Sequence, residues 1–330
     1  MKKIIFNIIK FGLSFFLGLI VIESYIQLAE IDSTSLSKND SLLGSSIKPN
    51  KKLIAFNEGF YVGGSNNYGY WGPSYDLQKP DECYRMALIG DSYVEGHQVF
   101  ERNHFRSLLE QGLSNKLNKK VEVLNFGMSG FNLNDGFCMY YDLVKKFKPD
   151  LTLIFVSNED FSNTNSSNRR PRCVIDGDSL YIDYSFRDLP EYLHREKTAW
   201  YRGQSTILGY IFSAKTLIKE KRLLNKLFPK WVVAEESNYE LQSRNIQIAF
   251  RERKIVEHFL ESDQIIFVGS SKLDDKILEI FNDNSQKLIT IPNIDDKKYH
   301  YWEVTGLYGH WNVEGHREIA DCLLKDLKVN

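Results

Sequence analysis

The 330 residues carry 42 basic and 43 acidic side chains, a formal net charge of -1, and 42% of them are hydrophobic. That apolar content fills a core and excludes a disordered chain, while the charge balance provides no field that would favour nucleic acid or an acidic polymer. The four cysteines, Cys83, Cys138, Cys173 and Cys322, stand far apart. They form no pair or cluster with metal-site spacing and read as small buried residues.

Residues 1–29 open with Lys2 and Lys3, pause at Lys10, and then run Phe11-Gly-Leu-Ser-Phe-Phe-Leu-Gly-Leu-Ile-Val-Ile22 before Glu23. About 20 mostly apolar residues suffice to cross a bilayer. The basic residues precede the run, and Glu23, Glu30 and Asp32 follow it. The stretch therefore reads as a retained N-terminal anchor with its start in the cytoplasm, since no small-residue cleavage site follows the apolar segment. Residues 30–60, rich in Ser, Asn and Asp, read as a polar tether with no core of its own. An aromatic and turn-rich run, Asn66-Asn-Tyr-Gly-Tyr-Trp-Gly-Pro-Ser-Tyr75, then leads into the first strand.

From there strands and helices alternate. Arg85–Ile89 is an apolar run ending at Gly90-Asp91-Ser92. Phe105, Leu108, Leu109, Leu113 and Leu117 repeat at a helical period within 103–117. Val121–Phe126 is a second strand, 134–147 a second helix and Leu151–Val156 a third strand. Residues 161–240 interrupt the rhythm with a polar loop, a short strand at 179–184 and a basic amphipathic helix at 213–228, and they read as an insertion capping the sheet. A helix over 245–260, a strand at 264–268, a helix at 274–281 and a strand at 287–291 follow, and Asn312 caps a closing helix through Leu327. Such alternation predicts one three-layer α/β domain over 61–330, built on a parallel sheet.

Ligands of an open parallel sheet gather beyond the carboxyl ends of its strands. Those ends carry Gly90-Asp91-Ser92, then Asn125-Phe-Gly-Met-Ser-Gly130, then Ser157-Asn158-Glu159-Asp160; Gly309-His310-Trp311-Asn312 precedes the last helix. A hydroxyl, an imidazole to take its proton and donors placed where negative charge develops make an acyl-transfer site. The other histidines read as structural: His316, six residues past His310, as a core hydrogen-bonding group, and His97, His104 and His258 as packing residues.

These blocks, together with Asn67-Tyr-Gly-Tyr-Trp-Gly72, resemble the SGNH (GDSL-like) hydrolase family, in the form of its membrane-anchored bacterial members. The resemblance covers about 65–160 and 245–325. It implies a flavodoxin-like sandwich, Ser92 as nucleophile and His310 as general base. It also implies an oxyanion hole made from the Ser92 and Gly130 amides and the Asn158 side chain, and no cofactor. Two positions depart from the family pattern. The Asp expected two or three residues before the histidine is replaced by Tyr308 and Leu307, leaving Glu303, a backbone carbonyl or a Ser-His dyad to orient the ring. An ungapped count would put Glu159 in the oxyanion hole, where a carboxylate would repel the developing charge; Asn158 is preferred on that ground.

The expectation is a serine esterase or O-deacylase acting on an ester such as an acylated glycan, held at the membrane with its catalytic domain outside the cytoplasm. An O-acyltransferase that modifies a surface polysaccharide would use the same residues. A catalytically dead glycan-binding module is the reading from a different class.

Overall fold

The computed structural model describes residues 2–28, 36–55, 58–161, 169–177, 179–219, 250–270, 272–281, 287–292, 297–300 and 309–329. Helix α1 (Lys2–Leu28) has no buried residue and is long and apolar enough to cross a membrane. Four short strands follow: β1 (Ser37–Asp40), β2 (Gly44–Ile47), β3 (Lys52–Ala55) and β4 (Tyr61–Gly64). The α/β elements are β5 (Tyr84–Gly90), α2 (Ser92–Glu95), α3 (Phe105–Leu117), β6 (Val121–Gly127), α4 (Leu133–Asp142) and β7 (Leu151–Val156). After them come β8 (Arg172–Asp176), β9 (Ser179–Asp183), α5 (Pro190–Gln204) and α6 (Thr206–Lys219). The chain closes with α7 (Phe250–Leu260), β10 (Ile265–Ser270), α8 (Asp275–Phe281), β11 (Leu288–Ile291) and α9 (Val313–Asp326).

The central sheet has five strands in the order β11-β10-β7-β5-β6, and every neighbouring pair is parallel. Counted along the chain, this is the doubly wound arrangement in which the chain leaves β5 toward one edge and returns to its other side at β7. Such a reversal opens a crevice at the carboxyl ends of the two strands. Alternation in β5 serves two cores. Met86 and Leu88 pack on the face that meets Phe105, Leu109 and Leu113 of α3 and Ile319 and Leu323 of α9. Ala87 and Ile89 pack on the face that meets Phe137 of α4 and Ile255 and Phe259 of α7. Period-two burial on both faces is what a sandwiched parallel strand requires.

Two expectations about the domain's limits need correction. Residues 40–60 are not a bare tether. The chain falls into two compact units, 1–39 with 193–237 and 40–192 with 238–330, so Asp40 onward belongs to the larger unit. Its serines and aspartates tie turns instead of being solvated: Asp40 accepts hydrogen bonds from the amides of Leu42 (2.9 Å) and Leu43 (3.0 Å) and from Ser46 Oγ (2.8 Å), which folds Leu43 into the core. An Asx side chain stabilises a tight turn in this way without any apolar pattern. β3 and β4 pair as an antiparallel hairpin whose connection carries Glu58.

The segment 161–240 also does not act as one insertion. β8 and β9 form a hairpin in the larger unit, where Cys173 is buried and its amide donates to Asn134 Oδ1 at 2.8 Å. The described residues 193–219 cluster instead with α1. Glu23 of α1 accepts from the amides of Thr206 (2.6 Å) and Ile207 (2.9 Å) and from Ser205 Oγ (2.8 Å), a carboxylate capping the start of α6. Most of the basic helix expected at 213–228 lies outside the described residues.

Candidate active site

Ser92 is the first residue of α2, directly beyond β5. Asp91 caps that helix, its Oδ1 accepting from the Tyr93 amide at 2.9 Å. The sheet register sets Gly90 beside Gly127, so the turn after β5 and the loop after β6 leave the sheet side by side. Only a glycine fits at 127, because a Cβ there would lie 2.2 Å from the Glu95 nitrogen. Helix α2 thereby packs its backbone against the end of β6.

The imidazole arrives from the far end of the chain. Asn312 caps α9, its Oδ1 accepting from Glu314 (2.9 Å) and Gly315 (3.0 Å), and its Nδ2 donates to the Lys298 carbonyl at 2.6 Å. That cap fixes the residues just before it. His310 Nε2 lies 2.8 Å from Ser92 Oγ, and the Tyr93 ring packs against His310 with centroids 4.9 Å apart. His310 Nδ1 lies 2.7 Å from Glu58 Oε2, while the His310 amide donates to Glu58 Oε1. A carboxylate only accepts, so the proton sits on Nδ1 and Nε2 presents a lone pair to the serine hydroxyl.

Glu58 is the functional candidate that sequence reasoning missed. Glu303, the residue expected to orient the ring, lies outside the described residues, and the carboxylate found on the ring comes from the β3–β4 connection 252 residues upstream. A local signal did exist. Lys52-Leu-Ile-Ala55 and Tyr61-Val-Gly-Gly64 flank Asn57-Glu58-Gly59, two strand-like runs around turn residues. Nothing in that pattern, however, indicates that the turn touches a histidine.

Counting backbone donors locates where an oxyanion could be held. In the loop after β6, the Met128 amide donates to the Gly90 carbonyl (3.0 Å), the Ser129 amide to Glu95 Oε2 (2.9 Å) and the Phe131 amide to the Met128 carbonyl (3.0 Å). Among the described residues, the amides of Gly130 and Ser92 have no acceptor. Gly130 holds φ +71, a left-handed conformation that costs glycine nothing. The Asn158 side chain is turned to another loop: its Nδ2 donates to the Lys272 carbonyl and its Oδ1 accepts from the Asp274 amide, both at 2.9 Å. One of its two amide hydrogens remains for a ligand.

Asp160 braces the same region, accepting from the Leu133 amide (2.9 Å), the Ser157 amide (2.7 Å) and Ser157 Oγ (3.0 Å). Burial nevertheless pushes its carboxyl up to about 7, with the nearby Asp91 adding to the effect. Burial also raises Asp91 itself. Alongside lies a cavity of about 270 Å³ at the carboxyl ends of the strands, lined by Asp91, Tyr93, Phe131, Leu133, Val156 and Trp311, among others. Residues on both sides of Ser92 and next to His310 thus line it.

Three other histidines are held by polar contacts away from Ser92. His316 is buried and its Nδ1 accepts from the Phe105 amide at 3.3 Å; His104 Nδ1 accepts from the Arg106 amide at 3.0 Å. His258 Nε2 lies 2.6 Å from the Tyr141 hydroxyl.

No protein-family model matches the chain, and no curated protein does. Solved structures similar to it include a putative lipolytic protein of the G-D-S-L family from Desulfitobacterium hafniense (14% identity, 74% of this chain and 99% of that one, TM-score 0.33). A lipase/acylhydrolase from Enterococcus faecalis has 12% identity over 74% of this chain and 94% of that one, with a TM-score of 0.37. The acetylxylan esterase Axe2 from Geobacillus stearothermophilus has 12% identity over 75% of this chain and 95% of that one, with a TM-score of 0.35.

Proposed function

We propose that this chain is a serine esterase of the SGNH type, acting through an acyl-serine intermediate. One observation carries the reading: an unbroken hydrogen-bonded path from Ser92 Oγ through the His310 ring to Glu58, part-buried at the carboxyl ends of the strands. His310 Nε2 takes the hydroxyl proton as Ser92 Oγ attacks the ester carbonyl, and Glu58 holds the tautomer and stabilises the imidazolium that forms. The amides of Ser92 and Gly130, with the uncommitted hydrogen of Asn158, bind the negative oxygen of the tetrahedral intermediate. Collapse expels the alcohol, which receives the proton from His310; water then repeats the sequence and releases the acid.

The substrate assigned by this reading is an acylated glycan or a similar ester. Helix α1 places Lys2, Lys3 and Lys10 before its most apolar stretch and Glu23 after it, which supports an N-terminus in the cytoplasm and a catalytic unit outside. Ser92→Ala tests the nucleophile. The variant should lose hydrolysis of p-nitrophenyl acetate and covalent labelling by a fluorophosphonate probe, and wild-type hydrolysis by it would refute the assignment. Product mass spectrometry with and without a glycan acceptor separates hydrolysis from acyl transfer to sugar.

A further inference from the structure

Glu95, the last residue of α2, is 4% exposed, and nothing in the proposed chemistry uses it. A carboxylate is costly to bury unless donors compensate for its lost hydration. Here three donors from two segments converge on it: Trp71 Nε1 on Oε1 at 2.8 Å, and both the Ser129 amide (2.9 Å) and the Ser129 hydroxyl on Oε2. His97 Nδ1 lies 3.7 Å from Oε2. The backbone is engaged as well, with Asn125 Nδ2 donating to the Glu95 carbonyl at 3.4 Å.

We infer that Glu95 is a positioning residue that sets the spacing of the two oxyanion-binding amides. The inference rests on the esterase reading. One of those amides, Ser92, is on Glu95's own helix; the other, Gly130, follows directly after the residue that Glu95 grips. By drawing the Ser129 N–H toward α2, the carboxylate fixes the rotation of the loop and leaves Gly130 as the amide that faces outward. The residue type follows from the donors. Two oxygens that only accept can take three hydrogens, whereas a glutamine would turn an NH₂ toward either Trp71 Nε1–H or the Ser129 donors.

The same side chain accounts for Trp71 in the aromatic run ahead of β5. Trp71 bridges to Ser65 and packs on Tyr61, the first residue of β4, with ring centroids 5.8 Å apart. Glu95 therefore links the nucleophile's helix to the oxyanion loop on one oxygen and to the hairpin that carries Glu58 on the other.

The test uses the full-length protein and Glu95→Gln, with thermal melting to confirm folding. A displaced oxyanion donor costs about 10²-fold in rate. The expected result is a fall in kcat of about that size on p-nitrophenyl acetate with KM little changed, and a matching loss of affinity for a boronic acid, which becomes tetrahedral and anionic on Ser92. A role in stability alone would lower the melting temperature and leave both constants in place, and that outcome overturns the proposal. Should Glu95→Gln fail to fold, Ser129→Ala decides: it removes one donor from the same oxygen and should reduce kcat and boronate affinity together by several-fold, and wild-type values for both overturn it. Failure of the esterase reading would look different, because wild-type protein itself would then neither hydrolyse the ester nor take the fluorophosphonate probe.

Discussion

Glu58 holds His310 by two points, the ring Nδ1 and the main-chain amide. Two contacts on one residue fix where the imidazole sits and also how it is turned, which a single ring contact would not. Replacing Glu58 with Gln keeps the shape but permits the other tautomer, in which Nε2 carries the hydrogen and no longer accepts from Ser92. The loss of the carboxylate from such a triad costs up to about 10⁴-fold in kcat. Glu58→Gln should therefore lose between about 10² and 10⁴ in kcat on p-nitrophenyl acetate while its melting temperature changes little. Activity within a few-fold of wild type would show that a Ser-His dyad suffices. At this scale the meeting of Ser92 with His310 was legible in the sequence because each sits where a strand or a helix boundary puts it. Glu58 was not, because its partner is defined by tertiary packing across 252 residues.

Two helices meet through a pair of neutral imidazoles. His104 caps α3 and His316 lies in α9, and their rings pack with centroids 4.7 Å apart. Burial depresses His104 to about 3, with Arg106 adding to the effect, and burial pushes His316 well below its ordinary value, with His104 and His310 contributing. The sign follows from linkage: protons bind the unfolded chain first, so the stabilisation is complete above about pH 6.5 and declines as pH falls toward the folded values. Each histidine loses up to about 1.4 kcal/mol per pH unit in that window. Asp160, raised to about 7, acts in the opposite sense between its unfolded value and neutrality, so bulk unfolding mixes the two. Nitrogen-resolved NMR separates them. Both rings should show a bare Nδ1 and a protonated Nε2 and should not titrate between pH 8 and 5; titration of either near 6.5 would contradict this packing. The elements that bring these rings together were the most legible part of the chain. The strand predicted at 151–156 is β7 residue for residue, and those at 85–89 and 121–126 each lengthen by a residue or two. Apolar runs and a 3.6-residue repeat report burial directly. The hairpin of β3 and β4 is held by backbone pairing and by turn residues, and it presents Ile54, Phe60 and Val62 to solvent, so no apolar alternation marked it as part of the domain.

The whole molecule divides after residue 39, not after residue 60. The distinction matters because Leu43 and Glu58 lie in the same unit as Ser92 and His310. A soluble form designed on the α/β pattern alone would start near 61 and lack the acid. Removing residues 1–35 should preserve ester hydrolysis by the released protein, while removing 1–60 should lower kcat at least as much as Glu58→Gln does. Equal activity of the two truncated forms would show that the hairpin is dispensable.

The order of the three groups along the chain has a consequence for biosynthesis. The acid is made first, the alcohol next and the imidazole only 252 residues after the acid. At the usual elongation rate of about 5–20 residues per second, roughly 13–50 s separate the emergence of the first group from that of the last. Under the proposed mechanism a ribosome-bound chain therefore carries an unactivated Ser92 hydroxyl until residue 310 is made, and a product truncated before that residue lacks the general base.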